Sequence, residues 1–243
     1  MVIVIDPQIA GISGDMLLSS LVDLGVDKNQ IIEGIKKIQK FLPDSKINKI
    51  DFQKIQKNGI ESTELILEID EKVSERKGVE IKNAIINSVN ELQVSDKAKL
   101  FAESCINSLI LSESKIHGIS EDSVHFHEAS SIDTLIDIVG VTLACEKLKF
   151  FDEKIVCLPV SVGSGTVSFS HGTMSNPASA VLQIFKNSNL TIKGNNANEE
   201  LTTPTGASIL VNLTDNSVEH YPSMNISSIG YGAGQKNFNS FSN

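Results

Sequence analysis

The segment that most constrains the fold runs from residue 132 to 148, where IDTLIDIVGVTLACEKL is apolar around nearly its whole circumference. Such a helix is stable only when other elements cover it on all sides, so the sequence predicts a buried helix. Asp133 and Asp137 lie four residues apart and stack on one face of that helix. Asp133 is also explained by the helix dipole alone, whereas a buried Asp137 needs a partner such as a cation.

The residues just before this helix form a second cluster of chemical groups. Val124 and Phe126 are apolar and alternate with His125 and His127, so a short strand would place both imidazoles on one side, next to Glu128. Neutral imidazoles with nearby carboxylates suit a borderline metal ion. A histidine pair on a strand is also common at surfaces and in cores, so this pattern alone leaves a structural role open.

The first strand and the loop after it predict a ligand site. Val2 to Ile5 read as a strand, and a helix is expected from about Ser13 to Leu24, with Gly25 ending it. Glycines in the connecting loop let a ligand approach the backbone, and acidic residues stand at the end of the strand and in the first helical turn. A tight strand-to-helix turn would explain the same glycines. The candidate residues of this loop are Asp6, Gly11, Ser13, Gly14 and Asp15.

Two further loops have the same character. VGSGTVSFSHG, residues 162–172, is glycine-rich and precedes Asn176-Pro177, which predicts a helix start; a plain glycine hairpin is the alternative. Residues 200–206 predict a helix that begins at Pro204 and is capped by Thr203. The candidate binding residues of these loops are Gly163, Gly165, His171, Thr203 and Thr205.

Composition excludes several classes of protein. The net charge of -9 and the presence of one arginine, Arg76, argue against nucleic acid as a partner. No stretch approaches the roughly 20 apolar residues of a membrane span, and the amino terminus has no basic region followed by a long apolar run, so we expect a cytoplasmic protein without membrane contact. Three widely spaced cysteines predict buried thiols.

The remaining patterns predict scaffold. The expected fold is α/β, a mixed sheet flanked by helices with glycine-rich loops at strand-to-helix junctions, in a single domain spanning residues 1–243 with a weak boundary near 71–78. The last residues, from Lys236 onward, are expected to form a frayed tail. The other predicted elements are helices over 27–41, 79–92 and 95–116, strands over 46–56, 61–70 and 154–160, and a hairpin turn at 57–59.

Five blocks of the chain resemble a known family in order and approximate spacing. They are DPQIAGISGDMLLSSLVDLG, SKIHGISEDSVHFHEASSIDTLIDIVG, LPVSVGSGTVSFSHGTMSNPASAVL, ELTTPTGAS and IGYGAG. This order is similar to the LarC family of nickel insertion proteins, lyase-type cyclometallases that complete the nickel-pincer nucleotide of lactate racemase. The resemblance implies that Ni²⁺ is inserted into pyridinium-3,5-bisthiocarboxylic acid mononucleotide, between two sulfurs and a ring carbon. It also implies dependence on CTP and on Mn²⁺ or Mg²⁺.

The resemblance stops near Gly234, so we expect a carboxy-terminal CTP-binding region to be supplied by a separate polypeptide of the same family. A homo-oligomer is also compatible with the sequence. The candidate roles are catalysis for Asp15, Asp137 and His171, and metal binding for His125, His127, Glu128, Asp133 and Asp6. Two rival functions stay open: a metal-dependent phosphoester hydrolase, and a noncatalytic module that binds metal or substrate.

Overall fold

The computed structural model of the protein describes residues 1–126, 131–169 and 172–236. Four helices of the described ranges begin at a side-chain cap: the side chains of Asp27, Ser95, Ser131 and Thr203 each accept a hydrogen bond from a backbone amide in the first turn. The helices in the described part of the chain are α1 (Gly14–Asp23), α2 (Lys28–Ile38), α3 (Gly78–Glu91), α4 (Asp96–His117), α5 (Ile132–Leu148), α6 (Ser179–Phe185) and α7 (Pro204–Leu213).

The strands form several small sheets of both orientations. They are β1 (Val2–Ile5), β2 (Ser45–Lys57), β3 (Ile60–Glu71), β4 (Arg76–Lys77), β5 (His125–Phe126), β6 (Lys154–Cys157), β7 (Val160–Val162), β8 (Thr166–Phe169), β9 (Gly172–Ser175), β10 (Ile192–Gly194), β11 (Asn216–Ser217) and β12 (Gly232–Ala233). The order β1-β6-β11 is parallel, and so is the pair β7-β10. β2, β3 and β12 form a mixed sheet, while β4-β5 and β8-β9 are antiparallel pairs. The predicted α/β fold with mixed sheets and flanking helices is confirmed.

The apolar segment at 132–148 is the buried helix that its sequence predicts. As α5 it packs against α1, α2, α3, α4 and α7, and most of its residues from Ile132 to Cys145 are buried. Full burial of a Leu or Ile side chain contributes about 1.5–3 kcal/mol, so this helix is a major source of stability. Its first turns are also the part that carries Asp133 and Asp137.

The long hairpin β2-β3 turns at Asn58 and Gly59, whose φ angles of 49° and 82° lie in the left-handed region. Asn and Gly tolerate this region, which explains why the predicted hairpin forms here. The hairpin brings Lys57, Leu65 and Leu67 towards the amino-terminal end of α1 and the segment that contains β12.

Two predicted elements differ from the structure. The strand expected over 154–160 is divided into β6 and β7, because Pro159 has no amide proton for a sheet hydrogen bond. The helix expected at Asn176-Pro177 begins instead at Ser179 with Ala178 as its cap residue. The Asn176 side chain does not cap it, since its amide donates to the carbonyl oxygens of Glu199 (2.7 Å) and Ser164 (3.2 Å). In the glycine-rich loop before it, Thr166–Phe169 form β8, which pairs antiparallel with β9, and Gly163 and Gly165 precede this pair.

Candidate functional site

A cavity of about 370 Å³ lies where the amino-terminal ends of α1, α5 and α7 meet. Its far wall is formed by Leu65 and Leu67 of β3 and by residues 234–236, which follow β12. The charged residues that line it are Asp15, Asp133, Asp137, Glu200 and Lys236. Three helix starts, four carboxylates and one ammonium group therefore share one small space.

The helix starts give the cavity a surface of hydroxyl and amide groups. Ser13 precedes α1 and its hydroxyl donates to the Asp15 carboxylate, which also accepts from the amide of Met16 at 2.9 Å. Thr203 caps α7 by accepting from the amide of Gly206 at 3.1 Å. Thr205, in the first turn of α7, is buried in the same wall. Helix amino termini carry partial positive charge and favour anionic ligand groups such as phosphate.

Asp137 is held without hydrogen-bond donors. Among the described residues no group donates to its carboxylate, and the backbone of α1 approaches it at Gly14 so closely that a side chain there would overlap the carboxylate. Burial, followed by repulsion from Asp15 and Asp133, raises the pKa of Asp137 well above its ordinary value. A carboxylate in this state gains from either a proton or a cation.

Asp133 lies one helical turn before Asp137 and reaches solvent. The surrounding protein raises its pKa by desolvation, and repulsion from Glu71 and Asp15 acts in the same direction. Hydrogen bonds from Ser131 and from the amide of Thr134 oppose the shift without cancelling it. The cavity therefore contains an excess of negative charge on α1 and α5 that a cation would relieve.

No three His, Cys, Asp or Glu side chains within the described ranges converge closely enough to hold a metal ion together. Mg²⁺ does not require such a cage, because it is usually bound by one or two carboxylates and completes its shell with water and substrate phosphate oxygens. Mn²⁺ prefers the same oxygen donors. Asp15, Asp133 and Asp137 line one cavity and lie close enough for the charges of the first two to raise the pKa of Asp137, so their carboxylates are the candidates for this mode of binding.

Of the predicted cluster of His125, His127 and Glu128, the structure describes only His125. Val124 and Phe126 are buried and His125 between them is exposed, as the predicted alternation requires. β5 pairs with β4, so that His125 lies opposite Lys77. His125 does not line the cavity. The candidates His127, Glu128 and His171 lie outside the described residues, and their roles stay predictions.

The start of α5 is tied to the end of β3 through Glu71. One carboxylate oxygen of Glu71 accepts from the amide of Ile132 at 2.8 Å, and the other accepts from Arg76 at 2.9 Å. Arg76 is buried and donates to the hydroxyl of Ser45 at 2.7 Å. The single arginine of the chain therefore fixes the end of β3 against the start of α5.

Several predicted ligand residues lie elsewhere. Asp6, at the end of β1, accepts from the hydroxyl of Tyr221 at 2.6 Å and does not line the cavity. Gly11 has a φ of 68° and packs against the backbone of Leu201. Gly163 packs in the same way against Glu199, and a side chain at Gly165 would lie 2.8 Å from an oxygen of Asn198. These glycines allow close packing between loops, and their contact with a substrate stays a prediction.

The structure adds three residues that the sequence did not indicate as site residues. Glu200 and Lys236 line the cavity, and the Lys57 ammonium donates to the carbonyl oxygens of Gly234 and Lys236, the latter at 2.9 Å. Lys236 was expected to begin a frayed tail, which was wrong for this residue. The glycine-rich IGYGAG block immediately before it is the sequence signal, because Gly230 and Gly232 lie against the backbone of α1.

The fold and the cavity define an α/β protein whose carboxylate-rich site fits a divalent cation together with an anionic ligand. Residues 3–243 match the family described as "Nickel insertion protein". The chain belongs to this nickel insertion protein family.

Curated relatives support the same assignment. A "Putative nickel insertion protein" of Methanosphaera stadtmanae is 36% identical over 97% of this chain and 58% of its own length. A "Pyridinium-3,5-bisthiocarboxylic acid mononucleotide nickel insertion protein" of Staphylococcus epidermidis is 36% identical over 95% of this chain and 55% of its own length. A protein of the same name from Geobacillus kaustophilus is 34% identical over 93% and 54%.

The chain thus spans a little over half the length of these relatives. No solved structure matches it. In the described part of the chain, every helix is too short or too polar to cross a membrane.

Proposed function

We propose that this chain is the metal- and mononucleotide-binding part of a cyclometallase that inserts nickel into pyridinium-3,5-bisthiocarboxylic acid mononucleotide. The observation that carries the proposal is the cavity where α1, α5 and α7 begin, with Asp15, Asp133 and Asp137 on its wall. The substrate named in the relatives from Staphylococcus epidermidis and Geobacillus kaustophilus has the matching chemistry, a phosphate and two anionic thiocarboxylate groups around a cationic ring.

The helix starts would bind the phosphate. Amides of the first turns of α1 and α7, together with the hydroxyls of Thr203 and Thr205, provide donors for phosphate oxygens. Asp15 in the first turn of α1 and the carboxylates of Asp133 and Asp137 on α5 line the same space, where they repel an anion unless a cation lies between them. A bound Mg²⁺ or Mn²⁺, held by two of these carboxylates, would supply that bridging charge.

The carboxylates would also take part in the reaction. A nickel–carbon bond to the pyridinium ring replaces a carbon–hydrogen bond, so a proton must leave the ring carbon. Asp137 has a raised pKa and no hydrogen-bond donor among the described residues, which suits its carboxylate to accept that proton. Asp15 and a carboxylate of α5 would hold the cation, and Ni²⁺ would enter as a substrate that the two sulfurs of the mononucleotide bind.

The relatives extend beyond the part that this chain matches. The chain spans 55% of the Staphylococcus epidermidis relative, and we propose that a region corresponding to the rest of that protein provides CTP binding. The product would be the nickel-pincer nucleotide of lactate racemase.

The test measures nickel incorporation by mass spectrometry with mononucleotide, Ni²⁺, CTP and Mn²⁺. The chain alone is expected to form no nickel product, and addition of the separately expressed carboxy-terminal region of the relative is expected to restore it. Nickel insertion by the 243 residues alone would overturn the need for that carboxy-terminal region. Hydrolysis of simple phosphoesters without nickel, and no nickel product in either mixture, would instead identify a metal-dependent hydrolase.

A further inference from the structure

The segment Gly230–Lys236 closes one side of the cavity and is held there at both of its edges. Gly230 and Gly232 lie so close to the backbone of α1 that a side chain at either position would overlap it. On the other edge β12 pairs with β3, where the amide of Thr63 donates to the carbonyl oxygen of Tyr231 at 2.9 Å. This segment, which we call the closing strand, therefore has a fixed position against the cavity.

Its last described residue carries a cation into the cavity wall. The ammonium group of Lys236 lies 3.5 Å from the carboxylate of Glu200 and donates to the carbonyl oxygen of the same residue at 2.9 Å. Every other charged residue that lines the cavity within the described ranges is a carboxylate. Lys236 is thus the one described side chain on this wall that attracts an anion by its full charge.

Glu200 is poorly satisfied in this pair. Its side chain is 16% exposed, and one of its carboxylate oxygens is buried without a hydrogen-bond partner among the described residues. The Lys236 side chain, by contrast, is 48% exposed, so it is able to turn towards a ligand while its backbone stays in the closing strand. The Lys236 ammonium is therefore able to exchange the Glu200 carboxylate for an anionic group of a ligand, while Glu200 keeps its buried position.

We propose that Lys236 is the specificity-determining residue for an anionic ligand, and that its ammonium group leaves Glu200 to bind the ligand's phosphate. Glu200 holds the ammonium group at the wall when no ligand is present. A ligand with a phosphate and a ribose would use both groups, since the unpartnered oxygen of Glu200 accepts from a ribose hydroxyl. This inference rests on the proposed function, because it assumes that the cavity binds a mononucleotide.

The experiment is calorimetric titration of the 243-residue chain with nicotinic acid mononucleotide and, separately, with inorganic phosphate, both in the presence of Mg²⁺. Lys236→Gln is expected to weaken binding of the mononucleotide at least tenfold and to make it less dependent on salt, whereas Lys236→Arg keeps it within threefold. Glu200→Gln is expected to strengthen binding of inorganic phosphate, because the competing carboxylate is gone. Lys115→Gln, at an exposed lysine of α4, is the matched control and is expected to change neither.

The outcomes separate the two proposals. If wild type binds the mononucleotide and Lys236→Gln binds it equally well, the role of Lys236 is overturned while the proposed function stands. If wild type binds neither probe at millimolar concentration, the mononucleotide site fails and this inference fails with it. If Lys236 and Glu200 form only a structural ion pair, Lys236→Gln and Glu200→Gln are expected to weaken phosphate binding alike. Equal losses of phosphate affinity in the two variants would therefore also overturn the proposal that Lys236 leaves Glu200 for the ligand. Thermal melts of each variant report whether the fold is kept.

Discussion

Gly14, the first residue of α1, faces the carboxylate of Asp137 in α5 with no room for a side chain between them. This contact places the amino terminus of one helix against an acidic group of another. The position is occupied by glycine because any other residue would displace either helix α1 or the carboxylate.

Replacement of Gly14 by alanine is therefore expected to cost about 1–3 kcal/mol of unfolding free energy, as overpacking does in well-packed interiors. It is also expected to weaken Mn²⁺ binding, since the carboxylates on α1 and α5 move apart. Denaturant unfolding and metal titration measure the two effects. Gly194→Ala is the control, because that glycine has open space around it. If Gly14→Ala and Gly194→Ala lose the same unfolding free energy and bind Mn²⁺ equally well, the contact between Gly14 and Asp137 tolerates a side chain.

Asp137→Asn tests whether this carboxylate serves a cation. The amide keeps the volume and removes the charge, so the unfolding free energy of the metal-free protein is expected to equal that of wild type or to exceed it by about 1 kcal/mol. Metal at a hundredfold excess over its Kd stabilises wild type by about 2.7 kcal/mol, and the variant is expected to lose most of this gain. Thermal melts with and without Mn²⁺ resolve the difference. If Mn²⁺ raises the melting temperature of wild type and variant equally, Asp137 has a purely structural role.

The raised pKa of Asp137 has a pH consequence for the metal-free protein. Burial and the neighbouring Asp15 and Asp133 keep it protonated in the folded state at a pH where the unfolded chain has lost that proton. The folded state then binds more protons, so unfolding free energy falls as pH rises from about 4 towards the raised pKa. Urea unfolding across this range is expected to show a smaller fall for Asp137→Asn. If unfolding free energy falls equally steeply with pH in Asp137→Asn and in wild type, the pH dependence does not come from a raised pKa of Asp137.

The histidines are tested as metal ligands in the same way. His125→Ala and His127→Ala are each expected to weaken Ni²⁺ binding tenfold or more, about 1.4 kcal/mol, with the fold intact. His220, which is exposed on another segment, provides the control substitution. Metal titration that gives the same Kd for all three variants and wild type would remove the histidines from the mechanism.

Much of the fold follows from local patterns. The Asn58-Gly59 turn, the cap at Thr203 and the buried helix α5 are set by nearby residues, and each was predicted correctly. Local preference failed at Asn176, where the side chain bonds to carbonyl groups of Ser164 and Glu199 instead of capping a helix. Those partners are distant in sequence, so no local pattern reveals them.

The candidate site likewise combines residues marked by local sequence patterns with residues placed only by tertiary packing. Ser13, Asp15, Asp137 and Thr203 were predicted because each stands in a recognisable pattern at or near a helix start. Lys236 was missed because its position in the cavity wall depends on the packing of the preceding glycines against α1, which brings it to Glu200. Nothing in the immediate neighbourhood of a lysine near the end of a chain distinguishes a cavity wall from a tail.

The most direct test of the central claim is single-turnover nickel incorporation by wild type and Asp137→Asn, each mixed with the carboxy-terminal region of a relative, CTP and Mn²⁺. The exposed Asp122→Asn is the matched control. We expect Asp122→Asn to insert nickel at the wild-type rate and Asp137→Asn to be slower by a factor of about 100 or more, within the usual range for loss of a catalytic acid–base group. Equal rates of nickel incorporation for Asp137→Asn and wild type would contradict the claim that this cavity is where nickel enters the mononucleotide.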